Sequence, residues 1–427
     1  MSGPRVGVVG GGIGGLVLAL ALRERGISYE VYEQADELRE VGAAVALSAN
    51  GTRELRRLGL GERVEALSVI PSALVIRRWD TGEIIADHPI GRGGTYQATF
   101  GAPYYGVHRV ALLQALADRL GDEGLMLGRR CVAVEERPSG VELRFADGAS
   151  ATADVVVGAD GVHSVIRPHV VAEARGRFSG TVGYRGLVPV EELPSLPDPT
   201  PLQFWAGPGR HLLHYAIDGG RTINFLAVVR VPKWTNDEWM EECAVSDAVD
   251  AFDGWHPAVT EMVGATDVGA RWALHDLAPL TSWHTDRVVL IGDAAHAMMP
   301  HQGQGANQTI EDAIVLADCL ADADTADDLA SALQRYEDRR RNRTIAVQWL
   351  SRRTADLMHL PDGPEIARRD AMLANLYTEL AWIHSHDANA SHAEHMRLHK
   401  RATTPTGPLP VDKGSAELVA RAQTAAP

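Results

Sequence analysis

The stretch VGVVGGGIGGLVLALALRERG (residues 6–26), followed by YEVYE (residues 29–33), decides the fold. An apolar strand over residues 6–9 runs directly into a glycine-rich turn. Residues 16–25 then have the pattern of an apolar helix with a charged end, which Gly26 terminates. A second strand, residues 29–32, has Glu33 at its carboxyl end. This strand, helix and strand have the length of one β-α-β unit, so the chain is predicted to open on such a unit.

The glycines of this opening have the spacing of a dinucleotide-binding turn. Gly10 permits the sharp turn, Gly12 lets a pyrophosphate approach the backbone, and Gly15 lets the helix pack closely on the sheet. Phosphates at this place would meet free N–H groups and the positive end of the helix dipole. Glu33 stands where an acidic residue accepts hydrogen bonds from ribose hydroxyls, which favours FAD or NAD over NADP. The alternative is a glycine-rich turn in an ordinary sheet.

The bulk composition is that of a soluble globular protein of 427 residues, with 45% hydrophobic and 23% charged residues. A formal net charge of -15 argues against nucleic acid or an anionic membrane as a partner. The 3 cysteines lie far apart without metal-ligand spacing, so no metal site is predicted and a reducing, cytoplasmic location is expected. No apolar run reaches the roughly 20 residues of a membrane span, and residues 1–10 lack the pattern of a signal peptide.

Two further carboxylates follow apolar strands. Asp160 comes after residues 153–157, and Asp293 comes after the strand 287–291. Because ligands of open α/β sheets bind at the carboxyl ends of the strands, the opening turn, Asp160 and Asp293 are predicted to converge on one long ligand. Asp293 is suited to accept hydrogen bonds from ribityl hydroxyls, and its alternative role is to cap a helix.

At this point the chain resembles the single-component flavoprotein hydroxylases, which include salicylate, 3-hydroxybenzoate and 6-hydroxynicotinate hydroxylases. The resemblance rests on the three motifs Gly10-x-Gly12-x-x-Gly15 with Glu33, GADGVHSVIR (residues 158–167) and GDAAHAMMPHQGQGANQTIED (residues 292–312). It implies that FAD is held by the first and third motifs. It also implies that Asp160 links FAD and nicotinamide use, and that Arg109 contacts FAD. From the residues alone, Arg109 opens a helix, so it faces either a bound anion or solvent.

The fold class that follows is α/β: a Rossmann-type FAD-binding domain with an inserted antiparallel-sheet substrate domain and a C-terminal helical region. The predicted parts are residues 1–175 (FAD-binding, with a hairpin near 74–90 that joins the substrate domain), 176–272 (substrate domain), 273–328 (FAD-binding), 329–400 (helical) and 401–427 (flexible tail). Residues 91–103, rich in glycine and proline, are predicted to form a loop, and residues 308–321 a helix.

The turn before the predicted helix 308–321 is expected to stabilise charge on the cofactor. Glycines and a small residue there present N–H groups at a helix N-terminus, which would stabilise the negative charge of reduced flavin. Taken together, the predicted cofactor-binding residues are Gly10, Gly12, Gly15, Glu33, Val45, Arg109, Asp160, Asp293, Gly303, Gly305, Ala306 and Asn307.

The chemistry implied by the resemblance uses FAD, with NADH or NADPH and O₂ as co-substrates, and hydroxylates a small phenolic or hydroxy-heteroaromatic compound through a flavin hydroperoxide. A general base near the substrate hydroxyl would make the ring more electron-rich. Alternation on a strand puts His211, Leu213 and Tyr215 on one face and His214 on the other. His211, Tyr215 and His301 are the candidate catalytic residues, and Leu213 and Pro300 the candidate substrate contacts. Each histidine has the alternative role of an ordinary core or surface residue.

Two rival functions stay open at this level. One is the same chemistry on a larger natural-product intermediate, by hydroxylation or epoxidation. The other is a non-catalytic dinucleotide-binding protein of the same fold. The predicted partners are a small aromatic substrate and O₂, with a monomer or homodimer as the assembly. The sequence does not give the substrate, the position hydroxylated, whether CO₂ leaves, or the choice between NADH and NADPH.

Overall fold

The computed structural model describes residues 3–38, 44–174, 176–234, 240–265, 269–323 and 325–389. The predicted tail, 401–427, and the end of the predicted helical region lie outside these residues. No described helix is both long and apolar enough to cross a membrane.

Nineteen strands are present in the described chain. They are β1 (Val6–Val9), β2 (Tyr29–Tyr32), β3 (Ala44–Leu47), β4 (Ser68–Val69), β5 (Ala73–Arg78), β6 (Ile84–Pro89), β7 (Tyr105–His108), β8 (Leu125–Met126), β9 (Cys131–Arg137), β10 (Gly140–Phe145), β11 (Ser150–Ala153), β12 (Val155–Gly158), β13 (Gly176–Pro189), β14 (Leu202–Gly207), β15 (Arg210–Ile217), β16 (Thr222–Arg230), β17 (Met240–Glu242), β18 (Ala270–Leu277) and β19 (Val288–Leu290).

Thirteen α-helices are present in the same described ranges. They are α1 (Ile13–Glu24), α2 (Ala49–Arg57), α3 (Gly61–Leu67), α4 (Thr95–Phe100), α5 (Arg109–Leu120), α6 (Arg167–Val170), α7 (Val245–Ala251), α8 (Pro257–Gly264), α9 (Asp293–His296), α10 (Gly305–Leu320), α11 (Ala326–Met358), α12 (Ile366–Ala374) and α13 (Leu376–His384).

Two large sheets organise the molecule. A five-stranded parallel sheet has the order β19-β12-β1-β2-β8, and α1 packs against it with every residue from Ile13 to Leu22 buried. An eight-stranded sheet has the order β17-β18-β13-β16-β15-β14-β5-β6. The β5–β6 hairpin therefore joins the sheet formed by later strands, and β5 pairs with β14 in parallel. The α/β fold class with an inserted, largely antiparallel sheet and C-terminal helices is confirmed.

Two local predictions differ from the structure. The segment 91–103 is not wholly a loop, because α4 forms within it and buries Tyr96 and Phe100. The flanking glycines are typical of turns, but the burial of Tyr96 and Phe100 stabilises a helix between them. The predicted helix 308–321 starts earlier, at Gly305, so the glycine-rich turn supplies the first helical turn of α10.

Buried charges join α10 to the long helix α11. The Arg340 guanidinium, fully buried, donates to Asp312 Oδ1 at 2.7 Å and also pairs with Glu311. The Arg343 Nε–H donates to Glu311 Oε2 at 2.8 Å. These guanidinium groups hold the pKa of the Glu311 carboxyl well below its usual range, despite burial that acts in the opposite direction. The two helices are thus held by charges that water does not reach.

Replacing Arg340 tests this arrangement. Arg340→Met removes the one guanidinium that contacts both buried carboxylates, and we expect the free energy of unfolding to fall by about 3–5 kcal/mol in urea titrations. Arg339→Met is the matched control, since Arg339 pairs with the half-exposed Asp318 and its loss is expected to cost about 0–1 kcal/mol. Similar losses in the two variants would contradict the structural role given to Arg340.

Candidate active site

The carboxyl ends of three parallel strands meet at one edge of the five-stranded sheet. Val9 of β1 lies beside Gly158 of β12, and Gly158 lies beside Leu290 of β19. The segments that leave these strands carry the glycine turn, Asp160 and Asp293, respectively. Strand register therefore brings together three motifs that are far apart in the sequence.

The glycine turn is shaped by close backbone approaches. Gly10 has φ +111°, and a Cβ there would lie 2.4 Å from the Ala159 carbonyl oxygen. A Cβ on Gly15 would lie 1.9 Å from the Gly10 carbonyl oxygen, so Gly15 closes the turn itself as well as contacting the sheet. Gly12 differs, because a Cβ on it would meet no atom within 4 Å. The space above Gly12 is open.

That space is part of a cavity of about 640 Å³ that runs from the turn to the eight-stranded sheet. Of the predicted site residues, those that line it are Gly10, Gly12, Glu33, Val45, Arg109, Asp160, Leu213, Tyr215, Asp293, Pro300, Gly303, Gly305 and Ala306. Gly15, Asn307, His211 and His301 are not among its lining residues. Both large sheets and α10 thus contribute to one cavity, while the role of each residue in it stays a prediction.

The carboxylates along the cavity are positioned by backbone N–H groups. Glu33 Oε2 accepts from Gly11 N at 2.6 Å and Oε1 accepts from Ala35 N at 2.9 Å, which fixes the turn and leaves further lone pairs for a ribose. Asp160 Oδ2 accepts from the N–H groups of Val165 and Ile166. Burial raises the pKa of Asp160. Its Oδ1 is buried and meets no hydrogen-bond partner within the described ranges.

The first turn of α10 faces the cavity through Gly305 and Ala306. No side chain caps this helix N-terminus within the described chain, and Gly303 just before it has φ +60°. The Asn307 side chain points elsewhere: it accepts from Ser48 N at 3.0 Å and donates to the carbonyl oxygens of Ala46 and Gly303. Its side chain therefore fastens the turn to β3, and only its backbone remains a candidate for cofactor contact.

These features fit a dinucleotide cofactor such as FAD. The N-termini of α1 and α10, neither with a side-chain cap in the described residues, both meet the cavity. The open space above Gly12 fits a pyrophosphate at the first helix, and the exposed carboxylate of Asp293 is free to accept from hydroxyl groups at the third strand end. The cavity is long enough to connect these points, and it continues to Tyr215.

The far end of the cavity is formed by one face of β15. Leu213 and Tyr215 pack in the apolar cluster that faces the C-terminal helices, whereas Leu212 and Ala216 pack in the cluster on the opposite face. Residues two apart share a face, so His211 lies with Leu213 and Tyr215, and His214 lies behind the sheet.

Three buried histidines stand next to this end of the cavity. His211 Nδ1 lies 2.7 Å from His359 Nε2, and the rings of His211 and His301 are 4.8 Å apart. Burial lowers the pKa of His301 to about 3 and that of His359 to about 4, and it also lowers that of His211. All three imidazoles are therefore neutral at pH 7. No group of three or more His, Cys, Asp or Glu side chains in the described residues is arranged to hold a metal ion.

Sequence reasoning did not find two residues at this end. His359 follows α11 and reaches His211 across 148 residues of sequence. Arg185 of β13 lines the cavity near Tyr215, with its guanidinium 5.5 Å from the Trp272 ring. Neither residue belongs to a local motif, and only the strand order β13-β16-β15 indicates that Arg185 approaches the predicted substrate residues.

The open space above Gly12 gives a direct test of cofactor binding. Gly12→Val puts a branched side chain into that space, and we expect a colourless purified protein, measured by flavin absorbance. The stability of the apoprotein should change by no more than about 1 kcal/mol, because no atom is displaced. Gly264→Val at the end of α8, where the nearest atom would lie 3.8 Å away and which is not among the cavity-lining residues, should stay yellow. Unchanged flavin content in the Gly12 variant would refute the assignment.

Comparisons with known proteins agree with this geometry. A family model described as FAD binding domain matches residues 4–350. A 3-amino-4-hydroxybenzoate 2-monooxygenase of Streptomyces platensis is 42% identical over 387 residues, which cover 90% of this chain and 96% of the relative. A salicylate hydroxylase substrate complex is similar with a TM-score of 0.79 and 30% identity, over 93% of this chain and 98% of that one. Klebsiella pneumoniae HpxO complexed with FAD and uric acid is similar with a TM-score of 0.77 and 28% identity. That similarity covers 94% of this chain and 98% of the other.

The similarity spans both large sheets and the cavity between them, rather than the nucleotide-binding turn alone. The predicted resemblance to flavoprotein hydroxylases is confirmed, and so is FAD as the cofactor. The relatives are named monooxygenases, so the rival function of a non-catalytic binding protein is not supported. The chain belongs to the FAD-dependent aromatic monooxygenases, enzymes that use NADH or NADPH together with O₂.

Proposed function

We propose that this enzyme hydroxylates a small phenolic or hydroxy-heteroaromatic compound that binds between Tyr215 and the His211–His301 pair. Bound FAD would supply the redox chemistry of this reaction, in which two electrons from NADH or NADPH reduce O₂, one oxygen atom enters the ring and the other leaves as water. The relatives whose names specify hydroxybenzoate and salicylate support a substrate of this size.

The observation that carries the proposal is the state of His301. Both of its ring nitrogens are buried, and neither meets a hydrogen-bond partner among the described residues. A neutral imidazole has one N–H donor and one acceptor nitrogen, so both are left unsatisfied at a cost of about 1–3 kcal/mol each. His301 lies behind the lining residue Pro300, and if its ring turned toward the cavity, a hydroxylated aromatic compound there would supply an O–H donor or an oxygen acceptor and remove this cost.

The histidine pair is suited to hold the proton of the substrate hydroxyl. His211 and His301 are neutral, so each is able to accept a proton. A phenolate formed beside them would favour the protonated imidazole, because an opposite charge nearby favours the charged form. The contact between His211 Nδ1 and His359 Nε2 fixes the orientation of the His211 ring. It also couples the tautomers of the two rings, since one ring must donate and the other accept.

Tyr215 has a different task. It lines the cavity, and burial raises its pKa, so its phenol keeps the proton. A protonated hydroxyl both donates and accepts, which orients a hydroxylated ring without removing its proton. Leu213 and Pro300 supply apolar contact, and the surrounding apolar wall of Met299 and Leu226 excludes water from the reacting ring.

The function is tested with a panel of aromatic compounds, including 3-amino-4-hydroxybenzoate, salicylate and 6-hydroxynicotinate. Each is scored for NAD(P)H consumption and for hydroxylated product by mass spectrometry. Product in proportion to NAD(P)H consumed by any small phenolic compound supports the proposal. Conversion of larger polycyclic compounds alone would contradict the proposed substrate size.

The histidine assignment has its own variant test. His211→Ala should reduce hydroxylation by about 10²–10⁴-fold if the group handles the substrate proton. FAD content should stay unchanged and NAD(P)H oxidation should fall less, so peroxide released per NAD(P)H should rise. His214→Ala is the control, because it removes an equally buried imidazole from the opposite face of β15. Loss of hydroxylation in the control with activity retained in His211→Ala would mean that the substrate binds on the other face.

The proposal also covers the cellular location, the assembly, and the roles of residues and domains. The 3 cysteines are free thiols in the structure, which supports a cytoplasmic location. A monomer or homodimer is proposed as the assembly. We also propose that the cavity-lining residues predicted from the sequence contact the cofactor. The division of the chain into FAD-binding, substrate and helical parts is proposed with the predicted bounds.

A further inference from the structure

The side-chain amide of Asn224 lies in the wall of the cavity beside Tyr215. Asn224 belongs to β16, and strand register places it directly opposite Tyr215 of β15. Directly opposite residues of antiparallel strands have side chains on one face, with Cβ atoms about 4.5–5.5 Å apart. Both residues line the cavity, and Leu226 and Leu213 form the next opposite pair that does so on the same two strands. The amide is therefore a neighbour of the predicted substrate contacts.

No described residue satisfies the hydrogen-bonding groups of this amide. Asn224 is only 6% exposed, and its side chain makes no hydrogen bond within the described ranges. The two other buried asparagines of the described chain behave differently, since the amides of Asn50 and Asn307 each make three hydrogen bonds. A buried polar group without a partner costs about 1–3 kcal/mol. The position of Asn224 thus favours a bound molecule that supplies the missing partner.

The polar groups of this wall indicate what that molecule carries. Among the cavity-lining residues of the eight-stranded sheet, Arg185, Tyr215 and Asn224 have polar side chains. A guanidinium only donates hydrogen bonds, and the Tyr215 hydroxyl keeps its proton because burial raises its pKa. Within this set, Asn224 Oδ1 is the side-chain oxygen that accepts without carrying a proton, so it suits a donor on the bound molecule. Arg185 lies diagonally from Asn224, opposite Leu226, and its positive charge disfavours an ammonium group there. A neutral N–H or O–H group fits both conditions.

We propose that Asn224 accepts a hydrogen bond from a second polar group of the substrate, a neutral N–H or O–H donor on the ring position next to the hydroxyl group. This inference rests on the proposed function, and it narrows the substrate to aromatic compounds with two adjacent polar groups, such as aminophenols, pyridones and catechols. Adjacent groups on one ring match adjacent side chains on the wall, because the hydroxyl group meets Tyr215 and the donor meets Asn224. With no partner among the described residues, the amide is free to turn its oxygen toward the donor.

The test measures binding to the holoenzyme with compounds that share one skeleton, and the change in the flavin spectrum gives each Kd. 4-Hydroxybenzoate lacks the second polar group, and 3-methyl-4-hydroxybenzoate fills its space without a donor. Three compounds carry a donor next to the hydroxyl group: 3-amino-4-hydroxybenzoate, 6-hydroxynicotinate with its ring N–H, and 3,4-dihydroxybenzoate. Wild type should bind at least one of these three about 10–100-fold more tightly than both compounds that lack the donor.

Two variants assign the preference to the amide. Asn224→Leu has nearly the same volume but no hydrogen-bonding group, so it should lose the preference and retain FAD. Thr222→Val is the matched control, because it removes a polar group from the same strand at a position that is not among the cavity-lining residues. It should keep the full preference.

Three results would overturn the proposal. If wild type prefers none of the three donor compounds, Asn224 makes no hydrogen bond of this kind. Equal weakening of all compounds by Asn224→Leu would mean that the residue only shapes the wall, and loss of FAD in that variant would mean that the amide serves the cofactor. The hydroxylation assay separates these failures from failure of the proposed function. A phenol that is hydroxylated without any preference for donors would uphold the function and remove this inference, whereas preferential binding without product from any compound would do the reverse.

Discussion

A buried ion network positions the segments that form the third strand end of the cavity. Asp312 accepts from Arg340 with one oxygen, and with the other from Gly292 N, while lying 2.5 Å from His296 Nε2. It thereby fixes the segment that presents Asp293. Glu311, the preceding residue, accepts from the Asn50 side chain of α2 at 2.6 Å. Because a buried charge is tolerated only with its partners in place, α2, α9, α10 and α11 are positioned together or not at all.

The features that were predictable from the sequence are mostly those determined by residues close together in the chain. The opening turn is set by steric demands within a few residues, as the approach of Gly15 to Gly10 shows. Side chains alternate between the two faces of β15 because of the strand conformation alone. It was therefore predictable that Leu213 and Tyr215 share a face. Convergence of Asp160 and Asp293 needed one further rule, that parallel strands end at the same edge of a sheet.

What the sequence did not predict depends on contacts between distant elements. His359 meets His211 because the end of α11 docks beside the β14–β15 turn, where Gly209 N donates to the His359 carbonyl oxygen at 3.0 Å. Arg185 reaches the Tyr215 end of the cavity only through the order of strands, which alternation within β13 does not give. Asn307 stands in a cofactor motif, yet its side chain serves the contact between β3 and the turn before α10. In each case tertiary packing, not local pattern, assigns the role.

The late position of His359 bears on how the enzyme matures during synthesis. Every strand of both large sheets, and the first turn of α10, is encoded before residue 310. The neighbour of His211 is translated some 50 residues later, a delay of a few seconds at ordinary elongation rates. A nascent chain therefore contains every strand of both large sheets before α11 is complete and His359 is able to dock beside His211. Synthesis thus delivers the strands that form the cavity wall first, and the His359 side of the buried histidine cluster only afterwards.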